Sequence, residues 1–387
     1  MICISLLFSF DLSLSLPRFS MLVFGIALFF ATVRYSNEIT IWSVLITFIS
    51  FGTIMALIGL VGTHFEPPFT PLNNLKEVTG LLQRRIPGTS NGVINPNELA
   101  GVLCWTTPLM LSCAIGMRRR LWLNNKAAYI GLLASTIGSS ILIVATSSRG
   151  GIFAFVASAM LVVAFFVNGR WRLVLAIGFF ITFLVLVSYS GNLSDQDIVG
   201  DALGLKGRIE IWSRAILAFQ DNPLTGLSIN GFRRVVHVLY PLFGISADID
   251  LGHAHNHVLQ VAMDLGLFGV ISYLALWIIT VGILWATVRS LVRRRANHHP
   301  YYSLVAGLSG SFLAGWLFGL FDAVALGSRP SFMWWLLLAM TASTYYTVVY
   351  SGIHLRSHRR SSSIVVPERD YAQQVSPIIL ADYSNEV

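Results

Sequence analysis

The chain has 387 residues, of which 55% are hydrophobic and only 11% charged, with a mean hydropathy of +0.70. Soluble chains carry about a quarter charged residues, so this one cannot cover a water-facing surface; a soluble enzyme, a disordered protein and a coiled coil are excluded. Its 26 Lys and Arg against 18 Asp and Glu leave a net charge of +8, but no basic face is interleaved with aromatic residues, and no nucleic-acid partner is expected.

Apolar runs of about 20 residues read as membrane spans. In chain order these are Phe19–Val33, Ile41–Val61, Leu99–Gly116, Ala127–Thr146, Ile152–Val167, Leu173–Tyr189, Leu265–Thr287, Tyr301–Phe321 and Phe332–Tyr350. Met1–Leu16 is a tenth candidate. It lacks a basic n-region and a small-residue cleavage site, so it reads as an incomplete helix, interrupted by Asp11 and stopped at Pro17, and not as a signal peptide. The expected fold is all-α: a polytopic membrane helix bundle of nine or ten spans, forming one membrane domain over residues 1–387 within a lipid bilayer. Cys104 and Cys113 lie nine positions apart in one apolar segment, which a helix stretches to about 13 Å, so no disulfide or Cys-based metal framework is expected.

Basic residues set the orientation. Arg118, Arg119, Arg120 and Lys126 separate spans three and four, Arg170 and Arg172 spans five and six, and Arg289 and Arg293 to Arg295 spans seven and eight. Arg356, Arg359 and Arg360 follow span nine. Every second gap is basic, which places these four in the cytoplasm and the polar tail 361–387 with them. The outward connections are then 62–98 and the much longer loop 190–264, and long patterned loops are generally functional. In that loop Ile209, Trp212, Ile216 and Phe219 repeat at helical spacing up to Asn222-Pro223. A second amphipathic stretch, Phe232–Leu242, follows, and both are expected to lie on the outer interface.

Polar residues stand where a plain bundle has no use for them in three places. Arg149 sits in the turn Ser147–Gly151 between two spans; an Arg at membrane depth is a functional candidate, and the plainer reading is a side chain snorkelling to headgroups. Arg208 opens the first loop helix, one turn from Trp212. A cation there gains nothing from the helix dipole, which points to an anion, against the plainer reading of a solvated surface Arg. The third place is His253-Ala254-His255-Asn256-His257, running through Gln260 to Asp264 at the start of span seven. His253 and His257 would share a helix face, but no Glu follows as in zinc-protease helices, so a satisfied interfacial cluster competes with metal. Asp248 and Asp250 resemble an acidic pair for a divalent ion, a weak signal in a turn. Arg149, Arg208 and His255 all map to the outward side. Guanidiniums bind phosphate in a fork without a metal, and an imidazole accepts a hydroxyl proton near neutral pH. Together they fit a lipid diphosphate substrate.

Five stretches in order resemble the O-antigen ligase/polymerase family: Asn95-Pro96-Asn97-Glu98-Leu99-Ala100; Ser148-Arg149-Gly150; Gly207-Arg208 with Trp212; Asn222-Pro223-Leu224-Thr225-Gly226; and 253–260 running into Gly266-Leu267-Phe268-Gly269. The likeness is strong over 87–286 and rests on hydropathy beyond. It implies a multi-pass enzyme of the bacterial inner membrane with its active site on the periplasmic face. Such an enzyme transfers a glycan from an undecaprenyl-diphosphate-linked donor to a glycan, lipid A-core or protein acceptor, with no metal and no cofactor. Carried over, Arg149 and Arg208 bind the diphosphate, His255 is the acceptor base, and Trp212, His253, Asn256 and Asn97 support them. The family usually has about twelve spans; nine or ten are expected here, with the difference at the N-terminal side, through either a shortened start or a divergent member. A polysaccharide flippase is the rival from another class; it requires ionisable residues at mid-membrane in several spans, whereas here Asp264 and Asp322 are expected at span ends.

Overall fold

A computed structural model of the chain describes residues 1–65, 69–73, 94–192, 205–246, 249–322 and 327–350. Helices account for nearly all of them, and no strand occurs among the described residues beyond one isolated bridge between Thr63 and Ile94. In chain order the helices are α1 (Ile2–Leu7), α2 (Leu12–Arg34), α3 (Glu38–Gly62), α4 (Pro96–Gly116), α5 (Arg118–Asn124), α6 (Lys126–Ala145), α7 (Arg149–Phe166), α8 (Gly169–Asn192), α9 (Leu205–Asp221), α10 (Phe232–Leu239), α11 (His257–Arg293), α12 (Pro300–Gly319) and α13 (Phe332–Tyr345). A π-helical turn continues α13 to Tyr350. Among the described residues eight helices are long and apolar enough to span a membrane: α2, α3, α4, α6, α7, α11, α12 and α13 with its extension. The remaining expected span, Leu173–Tyr189, lies inside α8.

The spans begin where the sequence supplies an acceptor for their free first-turn amides. Asn37 accepts from Thr40, Asn95 from Asn97, Asn125 from Ala128 and Ser148 from Gly151. Asp11 does the same for Ser13, and this corrects the reading of the N-terminus. Asp11 does interrupt a helix there, by capping the next one, but Pro17 lies inside α2 and does not stop it. Proline in the second turn removes only one bond close to the helix start, which neighbouring packing tolerates.

Two helices, α4 and α12, are buried on nearly every side, while α2, α3, α6 and α11 turn large apolar side chains such as Phe30, Ile46, Ile137 and Trp285 outward. Small residues let α4 and α12 close together: a Cβ on Gly307 would fall 2.5 Å from Leu109, and one on Gly315 2.5 Å from Trp105. These contacts also define the two ends of the bundle. At one end the C-terminus of α4 meets α12 and α7, since a Cβ on Gly116 would strike Ser303 and Phe166. The Arg118–Arg120 and Arg170/Arg172 clusters lie at this end. At the other, the N-termini of α4 and α7 touch at Ala100 and Gly151, and Gly59 of α3 meets Leu99. A core of Leu99, Ala100, Leu103, Ile143, Ala154 and Phe318 underlies that second end.

The loop after α8 is more than a pair of helices resting on the interface. It has its own core, made by Ile211, Ala215 and Ala218 of α9, Phe232, Val235 and Val236 of α10, and Tyr240, Leu251, Ala254 and Met263. The expected apolar row of α9 is therefore corrected: Ile209 and Ile216 are exposed, and the row that packs is one residue over. Side chains tie the layer down. Glu210 accepts the amides of Phe243 and Gly244, Tyr240 Oη donates to Asp221 at 2.9 Å, and Arg233 pairs with Asp250. Asp250 is thus paired with a guanidinium; its proposed mate Asp248, like the tail 361–387, lies outside the described residues.

Candidate functional site

The His segment enters α11 at the second, non-basic end of the bundle. Asn256 caps α11 by accepting the amides of Val258 and Leu259, both at 3.0 Å, and its Nδ2 donates to the Leu320 carbonyl at 3.2 Å. Its support is thus structural: it ties the His segment to the end of α12. Just beyond that end lies Asp322, buried. Asp322 Oδ1 is 3.2 Å from His255 Nδ1 and 3.7 Å from His253 Nε2. The two imidazoles lie beside each other, with ring centroids 4.3 Å apart.

A carboxylate only accepts, so the neutral form of His255 that bonds Asp322 has its proton on Nδ1 and a lone pair on Nε2. The His255 amide donates to His253 Nδ1 at 3.2 Å, which leaves the proton of His253 on Nε2. Burial pushes the His253 imidazole down to about 4; Asp322 pulls it back in part, while His255, Arg18 and Arg208 add to the depression. His253 is therefore neutral at neutral pH. His255 itself has a left-handed backbone, with φ of +50°, a conformation costing of order 1–3 kcal/mol that must be held by its surroundings.

Two arginines lie near this pair. Arg18 of α2 lies close enough to feel Asp264, Arg233 and Glu98 as well as His253. Arg208 of α9 reaches the same field. Its Nε is buried with no hydrogen-bond partner among the described residues, and so is Nε1 of Trp212, one turn along the same helix face. A buried unsatisfied donor costs about 1–3 kcal/mol; Arg214 Nε on the same helix and the indole Nε1 of Trp277, Trp334 and Trp335 share this state, so it does not by itself single these two out. Arg149 is the first residue of α7, capped by Ser148, and its side chain is exposed. It belongs to the same end of the bundle: a Cβ on the adjacent Gly150 would lie 3.4 Å from Phe321, the neighbour of Asp322. Asn97 sits in the first turn of α4 at this end, its amide held by Asn95 Oδ1 at 2.8 Å.

Several expectations change. His253 and His257 do not share a helix face, because the helix begins at His257. His257 is buried among Tyr273, Trp277 and Trp316, with Nδ1 2.8 Å from the Tyr273 hydroxyl. The trio able to hold a metal among the described residues is instead His253, His255 and Asp322, whose ligand atoms lie within 4.8 Å of one another. Asp264 is buried on the short helical segment that precedes the kink at Gly266, so it stands at the start of the long span, as expected, but inside the fold. Sequence reasoning also passed over Arg18 and assigned no role to Asp322. The signal was present in each case: an ionisable residue inside or closing an apolar run.

The fold and this cluster define a multi-pass membrane protein with a polar centre at one end of its bundle. Residues 110–274 match the family model described as O-Antigen ligase. The match covers a little under half of the chain and bears out the resemblance seen in its motifs. The match supports glycan transfer of the O-antigen ligase type in general, with glycan and lipid-linked substrates in a membrane. It contains Arg149, Arg208 and His255 and leaves Arg18, Asn97 and Asp322 outside. No curated protein matches the chain.

Proposed function

We propose that the chain is an inverting, metal-independent glycan transferase acting at the periplasmic face of a bacterial inner membrane. It moves an oligo- or polysaccharide from undecaprenyl diphosphate to an acceptor hydroxyl. The observation that carries this reading is the His255–Asp322 pair, with Nε2 of His255 left as a base. Nε2 takes the acceptor proton while the acceptor oxygen bonds to the anomeric carbon; the bond from that carbon to the diphosphate oxygen breaks on the opposite face, and configuration inverts. Asp322 stabilises the imidazolium that results. Arg208 and Arg149 take the charge that builds on the departing diphosphate, and Trp212 adds a donor. The basic clusters at the opposite end support an outward orientation for this one, by the positive-inside rule.

An apolar cavity of about 420 Å³ between α1, α2, α11 and α13, lined by residues including Leu22, Val261, Leu265 and Trp335, suits a stretch of prenyl tail. A lipid A core, a second lipid-linked glycan or a protein side chain would each present a hydroxyl that meets the same chemistry. A flippase fits less well, because Arg18, Glu98, Asp264 and Asp322 gather at one end of the bundle instead of spreading through its depth.

The test is transfer by the chain reconstituted in lipid with a glycan-loaded lipid diphosphate, in the presence and absence of EDTA. The expected result is release of lipid diphosphate matched by glycosylated acceptor, unchanged by EDTA. Loss on chelation, restored by zinc, would give the trio His253, His255 and Asp322 to a metal instead. In the same assay Arg208→Lys, and separately Arg149→Lys, should lower kcat by about 10²-fold, because lysine keeps the charge but loses the forked geometry. Wild-type rates in both would remove the guanidiniums from the mechanism.

A further inference from the structure

The left-handed backbone of His255 is held by a buried chain of hydrogen bonds that starts from the residue before it. The Ala254 amide donates to Gln260 Oε1 at 2.8 Å, and Gln260 Nε2 donates to Asp264 Oδ2 at 2.9 Å. Asp264 Oδ1 accepts the Asn230 amide at 3.0 Å. Gln260 and Asp264 are both buried. Backbone N–H donors close this chain at both ends, so it needs one member that only accepts, and an ionised carboxylate is that member. The carboxylate also sets the direction of the Gln260 amide: its NH2 must face Asp264, which leaves its oxygen for Ala254. The anchor at the far end is firm. Ser5 of α1 donates to the Asp264 carbonyl at 2.7 Å and accepts the Ile229 amide at 2.9 Å, and Ser15 of α2 donates to the Ile229 carbonyl at 2.7 Å. Ala254 stands between the two histidines, so its position decides where both rings lie.

We infer that Gln260 and Asp264 are positioning residues for the His255 base: they fix the main chain at Ala254 and so aim His255 Nδ1 at Asp322. This rests on the reading of His255 as the acceptor base. It makes the buried acid of α11 a part of the alignment of the site, with no contact to substrate. Misplacement of a reacting group by about 1 Å can cost 10²-fold in rate.

Reversing the polarity of the pair tests this. In Gln260→Glu two carboxylates face each other. In Asp264→Asn the amide of residue 264 turns an NH2 toward the NH2 of Gln260, or forces Gln260 to flip its own NH2 against the Ala254 amide. The double variant Gln260→Glu/Asp264→Asn restores every donor–acceptor match at unchanged net charge: the new carboxylate accepts from Ala254 and from the new amide, whose oxygen accepts from Asn230. Each single variant should lower kcat for transfer by about 10–100-fold with donor KM within about threefold of wild type. The double variant should recover to within about threefold of wild-type kcat. All are compared at equal amounts of folded protein, measured by thermal inactivation in detergent. Wild-type kcat in either single variant overturns the inference, and so does a folded double variant that stays as slow as the singles. His255→Ala, run alongside, separates the two levels: if it transfers at the wild-type rate, the base reading itself has failed, whereas an inactive His255→Ala beside a fully active Gln260→Glu defeats the positioning role alone.

Discussion

Replacing His255 by alanine is expected to abolish transfer while leaving donor binding in place, with kcat falling by about 10²–10⁴-fold, the usual range for a lost general base. Asp322→Asn should be nearly as severe. The carboxylate does two things for His255: it accepts from Nδ1–H, so that Nε2 is the basic nitrogen, and it stabilises the positive ring that forms on proton transfer. An amide at 322 performs neither reliably, because its NH2 can face Nδ1 and drive the proton onto Nε2. Where a carboxylate orients a catalytic imidazole, this single exchange lowers kcat by about 10⁴-fold without disturbing the geometry. The measurement is steady-state transfer at saturating donor, with donor affinity read separately by displacement of a labelled lipid diphosphate. Loss of kcat with affinity kept places both residues in the chemical step. Undiminished kcat in Asp322→Asn would leave His255 without its orienting partner and sink the pair as a catalytic unit.

Much of this architecture is legible in the sequence, and for local reasons. Most spans are apolar runs beginning at an Asn, Asp, Ser or His that accepts a free amide, as α2, α3, α4, α6, α7, α11 and α12 do, so hydropathy and capping agree. His255, Arg149 and Arg208 stand out because they are polar residues beside such runs. Asp322 does not, because its role comes from a contact with a residue 67 positions earlier in the chain, made only when the end of α12 meets the start of α11. Arg18 escaped for another reason: it stands just before the apolar run Phe19–Val33, where one charge reads as a plain span boundary, yet the helix starts at Leu12 and carries it inside. The α9 helix misleads in a third way. Its large residues, Ile209 and Ile216, mark one row, yet the row that packs is Ile211, Ala215 and Ala218. Alanines bring the helix close to α11, and at the edge of a membrane the large apolar residues need not turn inward.

Two glycine motifs that mark the family likeness meet in space, and this yields the strongest structural prediction. Gly226 follows Asn222-Pro223, and Gly266 breaks α11. The Leu227 amide donates to the Met263 carbonyl, and the Leu267 amide donates to the Pro223 carbonyl at 2.8 Å. The turn after α9 is thereby locked, backbone to backbone, onto the kink of α11. Both glycines have left-handed backbones, with φ of +66° and +68°, and ψ at Gly266 is −165°, a combination essentially confined to glycine. A Cβ on Gly266 would fall 2.3 Å from the Leu224 carbonyl oxygen, and one on Gly226 2.3 Å from that of Met263. The Met263 oxygen cannot yield without breaking the lock, and the Leu224 oxygen lies on the main chain next to Pro223, which the lock holds. Gly266→Ala therefore incurs about 1–3 kcal/mol of backbone strain in addition to the clash, at the joint that seats the α9–α10 layer on α11 beside Asp264. The expected outcome is little folded protein in the membrane and rapid thermal inactivation of what remains, with Gly226→Ala close behind. Gly282 is the control: it lies in the same helix with open space around its Cβ position, and alanine there should be neutral or stabilise by up to about 1 kcal/mol through helix propensity. A Gly266→Ala protein as abundant, heat-resistant and active as the Gly282→Ala protein would show that the loop layer does not depend on this joint.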